Sequence, residues 1–166
     1  MTGAFSVYST AWLSLALWAA GEWRRRRPLE NARGRALFTA ALVVMVAHAA
    51  LAFGVLHGWS HAEALLHAAR RTQEVTGTAA PRGFYANHAF LAFWTIEAAV
   101  WWWRSDAYRR RPAVLVWLSR AVFAFMFVNG AVVFVDSPLR FLGAAALASV
   151  AIAWARPRRL REPEQP

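Results

Sequence analysis

The stretch "HGWSHAEALLH" places His57, His61 and His67 within eleven residues of one another. Imidazoles combined with a carboxylate would suit zinc, copper or iron. His57 and His61 stand four apart, which is ligand spacing on one continuous helix. Ser60 and Glu63 interrupt that helix, because S-x-x-E is a capping box that starts a new first turn. Both histidines nevertheless fall where the chain turns. His88 and Asn87 begin the next apolar run at the same level, and Asn129 and Asp136 close a later one. His57, His61 and His88 are therefore the candidate metal ligands, with Asn87, Asn129 and Asp136 as a polar cluster beside them. The competing reading binds these imidazoles to water and backbone. His67 belongs on a solvated face, in a ladder with Glu63 and Arg71 at i−4 and i+4.

Glu97 and Arg120 are a second constellation, each inside an apolar run. Inserting either charge into hydrocarbon costs roughly 2.5–3.5 kcal/mol, and their matching depths predict an intramembrane ion pair. The pair reads first as a device fixing helix register, and second as a proton or substrate path. His48 lacks an evident partner. A dihaem arrangement needs imidazoles facing across the bundle on several spans, whereas His48 and His88 lie at different depths.

What must position these groups is a membrane bundle. Hydrophobic residues make up 58% of the 166, with ten Trp and eleven Phe, above the roughly 45–50% of soluble proteins. Five apolar runs stand out: 4–21, 36–57, 84–103, 113–135 and 141–155. The last would span only about 22 Å against a hydrocarbon core of ~30 Å, so Leu139 and a snorkelling Arg140 must extend it. No charge precedes the first run and "EWRRRR" follows it, the reverse of a signal peptide, so a retained span is expected.

All 19 basic residues are Arg. Fourteen lie in Arg24–Arg35, Arg104–Arg111 and the tail from Arg156, against Arg70, Arg71, Arg82 and Arg140 on the other side. Positive charge is held on the cytoplasmic side, so the N-terminus is expected outside and the C-terminus in the cytoplasm of a bacterial inner membrane. The net charge of +10 thus orients the chain toward the lipid bilayer; no nucleic-acid motif accompanies it. Absence of Cys excludes disulfides, thiol catalysis and thiolate metal sites.

Between the second and third runs, residues 61–76 predict a short amphipathic helix on the outer side, capped at Ser60 and stopped by Gly77. Its apolar face is Ala62, Leu65, Leu66 and Ala69; Glu63, His67, Arg70, Arg71 and Glu74 share the other. The fold class is therefore all-α: five transmembrane helices plus this outer helix, one domain over 1–156, and a polar, Pro-rich tail over 157–166 expected to be disordered.

"WSHA" at 59–62, "RTQEVTG" at 71–77, "GFYAN" at 83–87, "VWWW" at 100–103, "NGAVVF" at 129–134 and "RFLG" at 140–143 resemble a family of small bacterial multi-pass inner-membrane proteins with no assigned activity. The resemblance covers roughly residues 57–143 and implies an aromatic residue after Asn87, where this chain has His88. It carries over no catalytic or cofactor residue. The leading functional expectation is a non-enzymatic accessory bundle whose residues 59–77 dock another membrane or periplasmic protein, with no cofactor. The alternatives are a membrane enzyme or a metal or haem protein using the outer histidines, and a small transporter using Glu97 and Arg120.

Overall fold

A computed structural model describes residues 2–25 and 31–156. The tail at 157–166 and residues 26–30 of the first arginine block lie outside the described residues. Those described form seven α-helices and no strand: α1 (Thr2–Arg24), α2 (Asn31–His57), α3 (His61–Thr76), α4 (Gly83–Trp103), α5 (Ser105–Arg109), α6 (Ala113–Val128) and α7 (Leu139–Ala155). Four of the five long apolar runs are each one α-helix, the fourth run holds α6, and the expected short helix is α3. Two stretches, Ala32–His57 and Ala113–Val133, are long and apolar enough to cross a membrane; α7 is apolar but shorter. Helices α1 and α4 match them in length, but Ser, Thr and Trp dilute their apolar density.

The core is aromatic. Phe123 of α6 is its hub, with ring centres 5.7 Å from Trp18, 5.5 Å from Phe38, 5.3 Å from Phe90 and 5.0 Å from Trp94. One side chain thereby joins α1, α2, α4 and α6, mostly edge to face, the geometry the ring quadrupole favours. Polar links cross between helices where a neighbour supplies an acceptor. Ser14, fully buried, donates to the Ala41 carbonyl at 2.8 Å. His48 Nδ1 lies 2.9 Å from the Val7 carbonyl. That carbonyl can only accept, so Nδ1 carries the proton, and the partner His48 lacked in the sequence is the α1 backbone. Trp102 donates its indole N–H to Thr39 at 2.9 Å.

The fourth run is not one α-helix. After Val128 the chain makes a π turn over Asn129–Val133, closed by Phe134 N–H donating to the Asn129 carbonyl at 2.9 Å. The Asn129 side chain donates to the Phe125 carbonyl at 2.7 Å, the same oxygen its own backbone N–H reaches. That crowding at one acceptor accompanies the slip from i→i−4 to i→i−5 bonding. Gly143 of α7 packs directly on this turn: a Cβ there would overlap the Ala131 carbonyl oxygen and stand 3.0 Å from its carbon.

Candidate functional site

The reversal between α2 and α3 brings the histidines together. Gly58 and Trp59 both adopt positive φ, 54° and 62°. For a tryptophan this conformation costs roughly 1–2 kcal/mol. Its indole offsets that by packing closely against Gly54, where a Cβ would sit 2.9 Å from the ring, and by meeting Phe53 edge-on. Helix α3 then starts as expected: Ser60 Oγ accepts from the Glu63 N–H at 3.3 Å. Only half of the capping box forms, because the Ser60 N–H bonds the His57 carbonyl at 2.8 Å instead. Gly77 ends the helix at φ 77°, its N–H on the Gln73 carbonyl.

The inward face of α3 is only in part the expected one. Leu65 and Ala69 are half-buried as expected, but so are Ala68, Thr72 and Val75, Ala64 is the buried residue, and Ala62 and Leu66 are exposed. Small alanines let the helix approach the bundle closely, a gain that apolar periodicity weighted toward leucine does not register. Arg71 departs further. It does not join His67 in a solvated ladder but reaches the segment that follows the π turn, at the same end of the bundle. Its guanidinium bonds Glu74, the Asp136 carboxylate and, at 2.9 Å, the Phe134 carbonyl. Its hydrogen bonds to the Glu74 and Asp136 carboxylates hold its pKa above the ordinary arginine value.

The candidate metal ligands separate into two groups. His57 meets His67, ring centres 5.0 Å apart. His61 and His88 instead flank the Phe84 ring, at 5.2 and 4.5 Å. With Phe53 and Tyr85 these three residues line an open cavity of about 200 Å³. His61 Nε2 lies 3.1 Å from the Tyr85 hydroxyl, and His88 Nδ1 lies 3.1 Å from the Phe84 carbonyl. His57, His61 and His88 therefore do not share one coordination point, and among the described residues no three His, Asp or Glu side chains are placed to hold a metal ion. The polar cluster is likewise dispersed: Asp136 holds Arg71, Asn129 bonds within its own helix and Asn87 is exposed.

At the opposite end the expected Glu97–Arg120 pair is replaced by another. Glu97 accepts from Arg111 at 3.0 and 2.7 Å, one bond to each carboxylate oxygen, and from the Tyr108 hydroxyl at 2.7 Å. Both charged side chains are mostly buried, 15% and 12% exposed. Equal depth suggested Arg120, but α5 folds back under the bundle, stacks Tyr108 on Trp101 at 5.1 Å and delivers Arg111 to the carboxylate. Burial pushes the Tyr108 phenol well up, with Arg25 acting against it, so the hydroxyl keeps the proton it donates. The Arg120 guanidinium lies over the rings of Trp117 and Trp154, at 4.8 and 5.2 Å.

Beside this pair is a second one the sequence did not reveal. Buried Glu22 accepts from the Trp154 indole N–H at 2.9 Å and pairs with Arg25 at 3.3 Å. Arg25 in turn covers Trp101 at 4.1 Å and Phe38 at 4.9 Å. Arg35 lies 3.9 Å over Trp102 and bonds Ser105 at 2.9 Å. Arginines that read as loop charge are thus wedged between rings, where a guanidinium gains cation–π attraction. The signal available was "GEW" ending the first run, a carboxylate at the depth of Trp154. No family model matches the chain, and neither does any curated protein or solved structure.

Proposed function

We propose that the chain is a five-span protein of the bacterial inner membrane, N-terminus outside and C-terminus cytoplasmic. In this reading α1, α2, α4, α6 with its π turn, and α7 cross the bilayer. The distribution of side chains supports it: Phe5, Val43, Ile96, Val114, Phe125 and Phe141 are exposed while Ser14, Glu22 and Ser119 are buried. Water-soluble monomers rarely expose apolar surface on that scale. Trp102, Trp103 and Trp117 would then lie in the inner aromatic belt and Trp59 in the outer one.

Its activity, on this reading, is to hold α3 as a docking platform outside the membrane, as an accessory subunit without chemistry of its own. One observation carries this: Arg71 ties α3 to Asp136 and Phe134, far along the chain. A surface helix needs no such tether merely to connect two spans, whereas a fixed, mixed-charge face costs a partner less ordering entropy on binding. The partner that fits is another membrane protein, reaching Arg70 and Gln73 with polar groups and exposed Leu66 and Tyr85 with an apolar juxtamembrane segment.

A photo-crosslinking residue at Gln73 in native membranes tests this. A discrete heteromeric adduct is expected, weakened several-fold by Arg71→Ala and missing when the probe replaces Trp103 at the other end. An adduct pattern identical at both positions, or none at Gln73, would contradict the docking reading.

A further inference from the structure

We infer that the open cavity lined by Phe53, His61, Phe84, Tyr85 and His88 is a cage for a quaternary ammonium group, held by ring surfaces and not by a carboxylate. The inference does not depend on the docking reading. Every lining residue carries an aromatic ring, and Phe84 is central among them. Its ring centre lies 4.5 Å from His88, 5.2 Å from His61, 5.7 Å from Tyr85 and 6.3 Å from Phe53. The planes are inclined to Phe84 by 56°, 77°, 71° and 33°, so the rings do not form one stack. A cation is attracted to a ring from within about 6 Å of its centre. In a cluster this tight, a cation against one ring is in reach of a second. Local structure sets the arrangement: Trp59 braces Phe53 edge-on at 5.6 Å, and the positive-φ reversal at Gly58 and Trp59 starts α3 at His61. The other three rings come from the start of α4.

The chemistry of the lining selects the ligand. Its polar atoms are already engaged: His61 Nε2 lies 3.1 Å from the Tyr85 hydroxyl, and His88 Nδ1 donates to the Phe84 carbonyl at 3.1 Å. What remains is chiefly ring surface. An anion is repelled by the negative face of a ring, and no arginine lines the cavity to receive one. A strongly hydrated inorganic cation needs several oxygen ligands, and no carboxylate lines it either. A methylated ammonium is weakly hydrated, spreads its charge over apolar methyl groups and is the cation that aromatic cages hold. The cavity, about 200 Å³, suits a group of that size better than a drug-sized ligand, whose pockets run to roughly 300–1,000 Å³. His61, Tyr85 and His88 are exposed, which leaves a way in. A lipid head group and a free choline-like solute present the same chemistry here.

The test is saturation-transfer NMR on the full chain in an uncharged detergent, reading the methyl protons of choline. Saturable binding is expected, and neohexyl alcohol, the uncharged carbon isostere of choline, should bind about tenfold more weakly or worse. Phe84→Leu and Phe53→Leu keep apolar volume but remove a ring, and each should weaken choline binding by about three- to tenfold. Tyr85→Phe keeps the ring and should stay within about twofold of wild type, as should Trp103→Leu, outside the cavity. Circular dichroism checks that the variants keep wild-type helicity, and the comparison with the isostere needs no variant. Nanodiscs at high salt, where surface attraction is screened, separate the two sources. Weaker choline binding in phosphatidylcholine than in phosphatidylglycerol assigns the cage to a lipid head group, and equal binding in both assigns it to a free solute. No saturable choline binding in detergent, or equal affinity for choline and its uncharged isostere, would overturn the proposal. So would binding unchanged in both Phe84→Leu and Phe53→Leu.

Discussion

Replacing Glu97 by Gln should lower stability in detergent by about 3–5 kcal/mol, the usual cost of leaving one member of a buried ion pair without the other. The Arg111 guanidinium would remain mostly buried with no carboxylate to receive its two bonds. Arg111→Leu should cost a similar amount, because the Tyr108 hydroxyl alone cannot neutralise Glu97. Joint replacement by Leu should recover much of the loss, since apolar side chains of similar volume pay no desolvation penalty. The coupling identifies the partner. Glu97→Gln and Arg111→Leu should be strongly non-additive in thermal unfolding, whereas Glu97→Gln and Arg120→Leu should add. Stronger coupling to Arg120 would refute the assignment.

Gly143→Ala should destabilise the protein even though alanine is the better helix former by about 1 kcal/mol. The added Cβ would overlap the Ala131 carbonyl oxygen, and a backbone carbonyl held in a π turn cannot rotate away as a flexible side chain can. Overpacking of this kind costs typically ~1–3 kcal/mol, and Gly143→Val should cost more. Gly130 lies in the π turn itself, but a Cβ there meets nothing within 4 Å. Gly130→Ala should therefore be neutral or slightly stabilising. Equal losses at the two glycines, read from thermal melts, would mean that α7 does not approach the π turn this closely.

Helix positions were legible because apolar runs of span length leave little choice of secondary structure, and the cap residues Ser60 and Gly77 mark α3 unambiguously. Pairings were less so. Matching depth nominated Arg120 for Glu97, but depth says nothing about a loop folding back, and "RSDAYRRR" reads as solvated charge until Tyr108 is seen stacked on Trp101. The same holds for Arg25 and Arg35, whose aromatic partners come from α4, more than sixty residues away in the chain. On α3 the pattern of leucines misdirected part of the face, since close packing there depends on Ala64 and Ala68. The π turn at Asn129 had no periodic signature, being one residue of slip in an otherwise apolar run. The pairing of His57 with His67 likewise depends on two successive positive-φ residues, one of them a tryptophan that no turn rule favours.

The absence of cysteine makes single-cysteine labelling the most direct measurement of the central claim, a membrane bundle with α3 on the outer side and α5 on the inner. Gln73→Cys, Arg109→Cys and Phe125→Cys each place a thiol at an exposed position. With a membrane-impermeant maleimide, Gln73→Cys should react in intact cells, Arg109→Cys only after permeabilisation, and Phe125→Cys in neither. Labelling of both Gln73→Cys and Arg109→Cys from outside, or rapid labelling of Phe125→Cys by water-borne reagent, would contradict it.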